Sequence, residues 1–305
     1  MSQYLDPKAD VVFKKIFGDH PKILISFLNA VLPLEADSLI VELQYLPSEQ
    51  VPDIPEFKRT IADCRCKDSK GRHFIVEMQM NWTDSFKQRL LFGSSYAFVK
   101  QLNSGEDYCL LQPVYGLGLV ADTFEDGPEW YHHYRLVKEG QSPSETNIIK
   151  HLQLVFIELP KFPIHSSSEK KLRLLWLRFL REINEKTGEV SPELLNVPEI
   201  AEAIALTREA AYTPGELEIY QSYWDQVSRD KTLLNAAYRE GRVEGRVEGR
   251  VEGRVEGRVE GRLEERVEIV KNMLKLNLNT DLIMQSTGLT RQEIETIKAE
   301  MEPLN

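Results

Sequence analysis

Residues 60–80 read TIADCRCKDSKGRHFIVEMQM, and this stretch decides the fold because it predicts two short strands joined by a tight turn. The turn residues 69–71, Ser-Lys-Gly, suit a three-residue hairpin loop that ends on a glycine in the left-handed region. Counting back from this loop pairs Asp63 with Glu77 across the two strands. The spacing therefore predicts two carboxylates on neighbouring strands.

The two faces of this hairpin differ in polarity. Because side chains alternate along a strand, Asp63 and Glu77 point to the same side. Their face also carries Arg65, Ile75 and Gln79. The opposite face is almost wholly apolar and should be buried; it carries Ala62, Cys64, Cys66, Phe74, Val76, Met78 and Met80. A slip of one residue would separate the two acids, so the pattern favours this register.

Two neighbouring carboxylates repel each other when both are ionised, and a divalent cation between them relieves the repulsion. Few and hard oxygen ligands favour Mg²⁺ or Mn²⁺, which keep open positions for a phosphate oxygen and can supply hydroxide. The simpler alternative is a solvated polar face with no ion. A further acidic ligand could come from Asp10 or Glu42, or these can be ordinary surface carboxylates.

Asp63, followed across the hairpin by Glu77-Met78-Gln79, resembles the PD-(D/E)xK nuclease core with glutamine in the usual lysine position. The E-x-Q form resembles the bacterial recombination-promoting nuclease/transposase family. Residues 6–32 are similar to the opening helical segment of that family, and residues 88–120 are similar to the helix and strand that follow its hairpin.

The resemblance implies an α/β fold, with a PD-(D/E)xK restriction-endonuclease-like core in which helices flank a mixed sheet. It implies a metal-dependent DNA endonuclease that hydrolyses phosphodiester bonds and promotes DNA recombination or acts like a transposase. Asp63 and Glu77 would bind Mg²⁺ or Mn²⁺, and Gln79 would stand where lysine orients the nucleophile.

Gln79 departs from the lysine of the wider pattern. An amide donates hydrogen bonds but carries no charge and accepts no proton at neutral pH. The alternative is therefore a catalytically weak or inactive DNA-binding or regulatory protein that self-associates through its C-terminal tail. Lys58, Arg65 and Arg89 are candidate DNA contacts, although Arg89 could equally be an ordinary surface arginine.

The composition bounds the function classes. The net charge is −10, which argues against general electrostatic binding to nucleic acid, yet basic residues cluster in the first quarter of the chain. No stretch approaches the roughly 20 apolar residues that span a bilayer, and the start does not resemble a signal peptide. The three cysteines show no zinc or disulfide spacing. We expect a cytoplasmic protein with no membrane contact.

Four regions are predicted along the 305 residues: a nuclease-like core at 1–165, a helical region at 166–240, a tandem repeat at 241–268 and a small helix-turn-helix-like module at 269–305. The repeat begins with five perfect copies of Gly-Arg-Val-Glu over residues 241–260. In a helix, this period places each residue type on its own slowly winding stripe. Either the repeat is a helix that assembles copies into a homo-oligomer, or it is a solvated linker.

Overall fold

The computed structural model describes residues 4–50, 60–140, 146–163 and 171–301. The chain divides into two compact units, Met1–Lys231 and Thr232–Asn305. None of the described helices is both long enough and apolar enough to cross a membrane.

The first unit is built around a six-stranded sheet in the order β1-β4-β5-β6-β8-β7. Its strands are β1 Leu43–Tyr45, β4 Cys64–Asp68, β5 His73–Gln79, β6 Val114–Val120, β7 Tyr131–Val137 and β8 Ile148–Glu158. The pairs β5–β6 and β6–β8 are parallel, and the other pairs are antiparallel. A separate two-stranded ribbon joins β2 Glu49–Gln50 to β3 Thr60–Ile61. The expected mixed sheet is confirmed.

Helices cover one face of this sheet and enclose the larger core. They are α1 Asp10–Phe17, α2 Pro21–Val31, α4 Lys171–Glu182, α5 Pro192–Leu195, α6 Pro198–Leu206 and the beginning of α7, which spans Pro214–Lys275. Apolar side chains of the hairpin, including Cys66, Phe74 and Val76, are buried in this core. Four members of the predicted apolar face, Cys64, Cys66, Phe74 and Val76, therefore pack in this core, whereas Ala62 packs with Ile75 and Phe86 in a second core and Met80 is only half-buried.

The other face is covered by α3, Ser85–Val99, which packs on β5, β6 and β8. Two glycines of β6 permit its close approach. A Cβ atom at Gly116 would lie 2.5 Å from Ser94 Oγ, and one at Gly118 would lie 2.8 Å from a ring carbon of Phe156 and 3.0 Å from one of Phe86. No side chain larger than hydrogen fits beneath α3 at these positions without movement.

The hairpin has the predicted register. Cys64 faces Val76 and Arg65 faces Ile75. At the turn, the backbone N–H of Asp68 donates to the carbonyl of Arg72 at 3.0 Å, and Gly71 has a φ of 81° in the left-handed region. The three-residue loop is confirmed.

The second unit contains most of α7 together with α8 Thr280–Thr287 and α9 Arg291–Met301. A small core holds these helices together; it consists of Val270, Ile283, Ile294 and Ile297. Thr290 and Glu293 cap α9 reciprocally, with the Thr290 N–H 2.7 Å from Glu293 Oε2. The Gly-Arg-Val-Glu repeat lies wholly within α7, so it is helical, and its five valines are 55 to 63 % exposed.

Candidate active site

Two of the three predicted site residues, Glu77 and Gln79, contact Arg89 of α3, and the third, Asp63, is bonded to the strand segment between them. Glu77 and Gln79 lie on β5, and Asp63 lies directly before β4. The backbone N–H of Met78, between the two β5 residues, donates to Asp63 Oδ2 at 2.6 Å. This bond fixes the Asp63 carboxylate beside the end of β5.

Glu77 is the most buried member of the site, with a side chain only 5 % exposed. Its Oε2 accepts a hydrogen bond from Arg89 Nε at 3.1 Å, whereas its Oε1 is buried and has no partner among the described residues. Burial raises the pKa of Glu77 and outweighs the lowering by Arg89, while the nearby charge of Asp63 raises it further. For Glu77 the alternative of a solvated face is wrong.

Asp63 is half-buried, and its surroundings raise its pKa to about 6. Burial is the largest cause, and the negative charge of Asp10 acts in the same direction. The Met78 N–H, Lys14 and Arg89 lower the pKa without cancelling the effect of burial. Since the raised pKa is still below 7, a carboxylate able to bind a cation is available at neutral pH.

Gln79 is held at both ends of its amide. Its Oε1 accepts from Arg89 Nη2 at 2.6 Å, and its Nε2 donates to the carbonyl of Asn81 at 2.6 Å. Because a guanidinium can only donate, the amide oxygen must face Arg89. This leaves a single N–H of Gln79 for any further partner.

The predicted DNA contacts have different positions. Arg89 reaches the site from α3 and contacts both Glu77 and Gln79. Arg65 Nη1 instead lies 3.4 Å from the carbonyl of Pro47, and burial lowers the pKa of Arg65. Lys58 lies outside the described residues.

The two further acidic residues predicted as possible ligands, Asp10 and Glu42, differ in their surroundings. Asp10, at the start of α1, forms an ion pair with Lys14 at 2.8 Å and acts on Asp63 through its charge. Glu42 is exposed. Within the described ranges, no group of three or more His, Cys, Asp or Glu side chains is placed to hold a metal ion.

The oxygen ligands of Asp63 and Glu77 suit a divalent ion. Two carboxylates fit Mg²⁺ or Mn²⁺, since Mg²⁺ is commonly held by one or two carboxylates and keeps several water ligands. One of them has a buried oxygen that no described residue contacts by a hydrogen bond. A cage of protein ligands, as for structural zinc, would not fit.

Sequence reasoning missed the contacts that Arg89 makes. The available signal was the position of Arg89 on the helix that follows the hairpin.

The mixed six-stranded sheet flanked by helices is consistent with a PD-(D/E)XK-like α/β fold. The sequence model of the PD-(D/E)XK nuclease family transposases matches residues 7–237, and the chain belongs to this family. No curated protein and no solved structure matches the chain significantly. The family supports a nuclease or transposase-like function with DNA as the substrate.

Proposed function

We propose that the protein is a divalent-metal-dependent DNA endonuclease that hydrolyses phosphodiester bonds in a recombination-promoting or transposase-like role, acting in the cytoplasm. The observation that carries the proposal is the Oε1 atom of Glu77, which is buried near Asp63 and has no partner among the residues that the structure describes, in a chain of this family. Leaving a buried carboxylate oxygen unpaired is costly, so its retention favours a ligand there.

Asp63 and Glu77 would hold Mg²⁺ or Mn²⁺. When bound, the ion would polarise the phosphate and lower the pKa of a coordinated water. The protein's own part is positional: the Met78 N–H holds Asp63, and Arg89 holds Glu77. Gln79 can donate its remaining N–H to a water or a phosphate oxygen but cannot remove a proton.

DNA would approach from the solvent side of Arg89, whose side chain is 45 % exposed. Arg65 and Lys58 are proposed as further phosphate contacts, as expected from the sequence. Such contacts would position DNA without reading its sequence.

One observation favours a second candidate, a weak or inactive DNA-binding or regulatory protein. The amide of Gln79 is bonded at both ends within the protein and brings no charge. In that case the site would bind DNA or a cation with little turnover.

We further propose that the repeat of α7 assembles copies of the chain into a homo-oligomer. Glycine costs about 1 kcal/mol relative to alanine in a helix, and like charges recur four residues apart, so the repeat would be a poor helix alone. A second copy could cover the exposed valine stripe and set its Arg stripe against a Glu stripe.

The test of the nuclease proposal is a plasmid cleavage assay with a titration of Mg²⁺ and Mn²⁺. Asp63→Ala should abolish cleavage, whereas Glu42→Gln, at an exposed carboxylate, should leave it unchanged. Equal cleavage by the wild type and Asp63→Ala would reject the site. If neither cuts, while calorimetry shows that only the wild type binds Mn²⁺, the inactive alternative is supported.

A further inference from the structure

Arg89 joins the two site residues of β5 through one guanidinium group. Its Nε donates to Glu77 Oε2 at 3.1 Å, and its Nη2 donates to Gln79 Oε1 at 2.6 Å. These acceptors are two residues apart on the same face of the strand. A planar fork of donors suits such a pair, whereas the ammonium of lysine would act as a single point charge.

The position of Arg89 is fixed by the packing of α3. Its neighbours Phe86 and Leu90 are buried in the core between α3 and the sheet. The guanidinium carbon of Arg89 also lies 4.9 Å from the centre of the Phe86 ring. The packing of α3 therefore fixes the position of the Arg89 guanidinium group relative to β5, as a preorganised site requires.

The contact is not an ordinary surface ion pair. Glu77 is 5 % exposed, while Arg89 is 45 % exposed, so the positive charge lies at the boundary between the buried carboxylate and solvent. Glu77 Oε1 has no partner within the described part of the chain. Glu77 Oε2 is therefore hydrogen-bonded to Arg89, and Glu77 Oε1 is available to bind a cation.

We infer that Arg89 is the positioning residue of the site and supplies, from α3, the positive charge that Gln79 lacks. This inference rests on the proposed nuclease function. Arg89 holds the Glu77 carboxylate and the Gln79 amide in place, and its solvent-facing side meets the phosphate of the substrate as charge develops there. Arg65, the alternative source of charge, contacts the carbonyl of Pro47 instead.

The first experiment moves the positive charge from residue 89 on α3 to residue 79 on β5. Arg89→Gln should lower kcat at least 100-fold, because removal of one preorganised donor from a charged transition state has effects of this order. Arg89→Gln combined with Gln79→Lys should recover at least tenfold of that loss, since lysine returns a cation to the same edge of β5. Arg135→Gln, at an exposed arginine of β7, is the matched control and should leave kcat unchanged.

The second experiment needs no DNA. Binding of Mn²⁺ alone is measured by calorimetry at about pH 8, above the pKa of about 6 of Asp63. Arg89→Gln should bind Mn²⁺ at least threefold more tightly than the wild type, because a cation next to Glu77 repels the incoming ion. Arg135→Gln should bind as the wild type does.

Unchanged kcat and unchanged Mn²⁺ affinity in Arg89→Gln would overturn the inference. A loss of kcat that Gln79→Lys does not recover, in a variant whose thermal unfolding matches the wild type, would also overturn the charge-supplying role. Failure of the nuclease proposal is recognised separately, since Asp63→Ala would then cut as well as the wild type. If the wild type does not cut at all, the Mn²⁺ measurement still decides whether Arg89 acts on the cation site.

Discussion

Asp63→Asn should make the protein more stable at neutral pH while removing its ability to bind a cation. Asparagine has nearly the same shape and can still accept the hydrogen bond from the Met78 N–H. The substitution therefore removes little except the carboxylate charge. Its effect on the free energy of unfolding measures the cost of holding that charge in the site.

The magnitude follows from the pKa of Asp63, which rises from an ordinary value of 3.8 to about 6. Each unit corresponds to about 1.4 kcal/mol, so the full shift is worth about 3 kcal/mol. Since the side chain is only half-buried, solvent screening reduces this value, and we expect a gain of about 1.5 to 3 kcal/mol. The sign is set by the raised pKa: the folded state binds the proton more tightly, so the wild type loses stability as pH rises from about 4 to 6.

Urea unfolding followed by tryptophan fluorescence provides the assay. All four tryptophans lie in the first unit, so the signal reports the part of the chain that carries the site. Wild type and Asp63→Asn are both unfolded in the presence of EDTA, at about pH 7.5 and at about pH 5. At about pH 5 the linkage relation leaves roughly half of the difference in unfolding free energy between them. Asp126→Asn, at an exposed carboxylate, is the control and should change stability by less than about 0.5 kcal/mol.

Excess Mg²⁺ should reduce the difference in unfolding free energy between Asp63→Asn and the wild type at about pH 7.5, because only the wild type would gain stability from binding the ion. A variant no more stable than the wild type, or a gain that is the same at both pH values, would refute the explanation by burial of the charge.

Three further outcomes are expected. Gly118→Ala should lower the free energy of unfolding by about 1 to 3 kcal/mol in urea titrations, because its Cβ atom would lie 2.8 Å from Phe156. Gly249→Ala, which has open space around it, should instead increase the helicity measured by circular dichroism. Metal-dependent cleavage should decline as pH falls through about 6, since protonated Asp63 cannot bind a cation; a rate that is flat down to pH 5 would contradict this. Val251→Ser should shift any oligomer toward monomer in light scattering, because it interrupts the exposed apolar stripe, and an unchanged mass would count against assembly through the repeat.

The hairpin was predictable from sequence because its information is local. The turn chemistry fixed the loop, and the alternation of polar and apolar residues fixed the register. Both are confirmed by the pairing of Cys64 with Val76. The predicted pairing of Asp63 with Glu77 rests on the same two rules, but Asp63 lies just before β4, so the observed strand pairing ends one residue short of it.

The environment of the site was not predictable in the same way. Whether a polar strand face is solvated or covered depends on distant elements, and α3 covers Glu77 only because the glycines of β6 allow it to approach. The ion pair between Glu77 and Arg89 likewise joins a strand to a separate helix. Periodicity shows which residues share a face, but it does not show which helix will pack there.

The absence of a side chain at Gly116 has a consequence for the chemistry as well as for packing. Any atom added there would press on Ser94 and Leu90 and push α3 outward. Because Arg89 lies on α3, its guanidinium group would move away from the Glu77 carboxylate. Genetic screens for loss of DNA cleavage should therefore recover substitutions at this glycine, although it donates no hydrogen bond from a side chain and carries no charge.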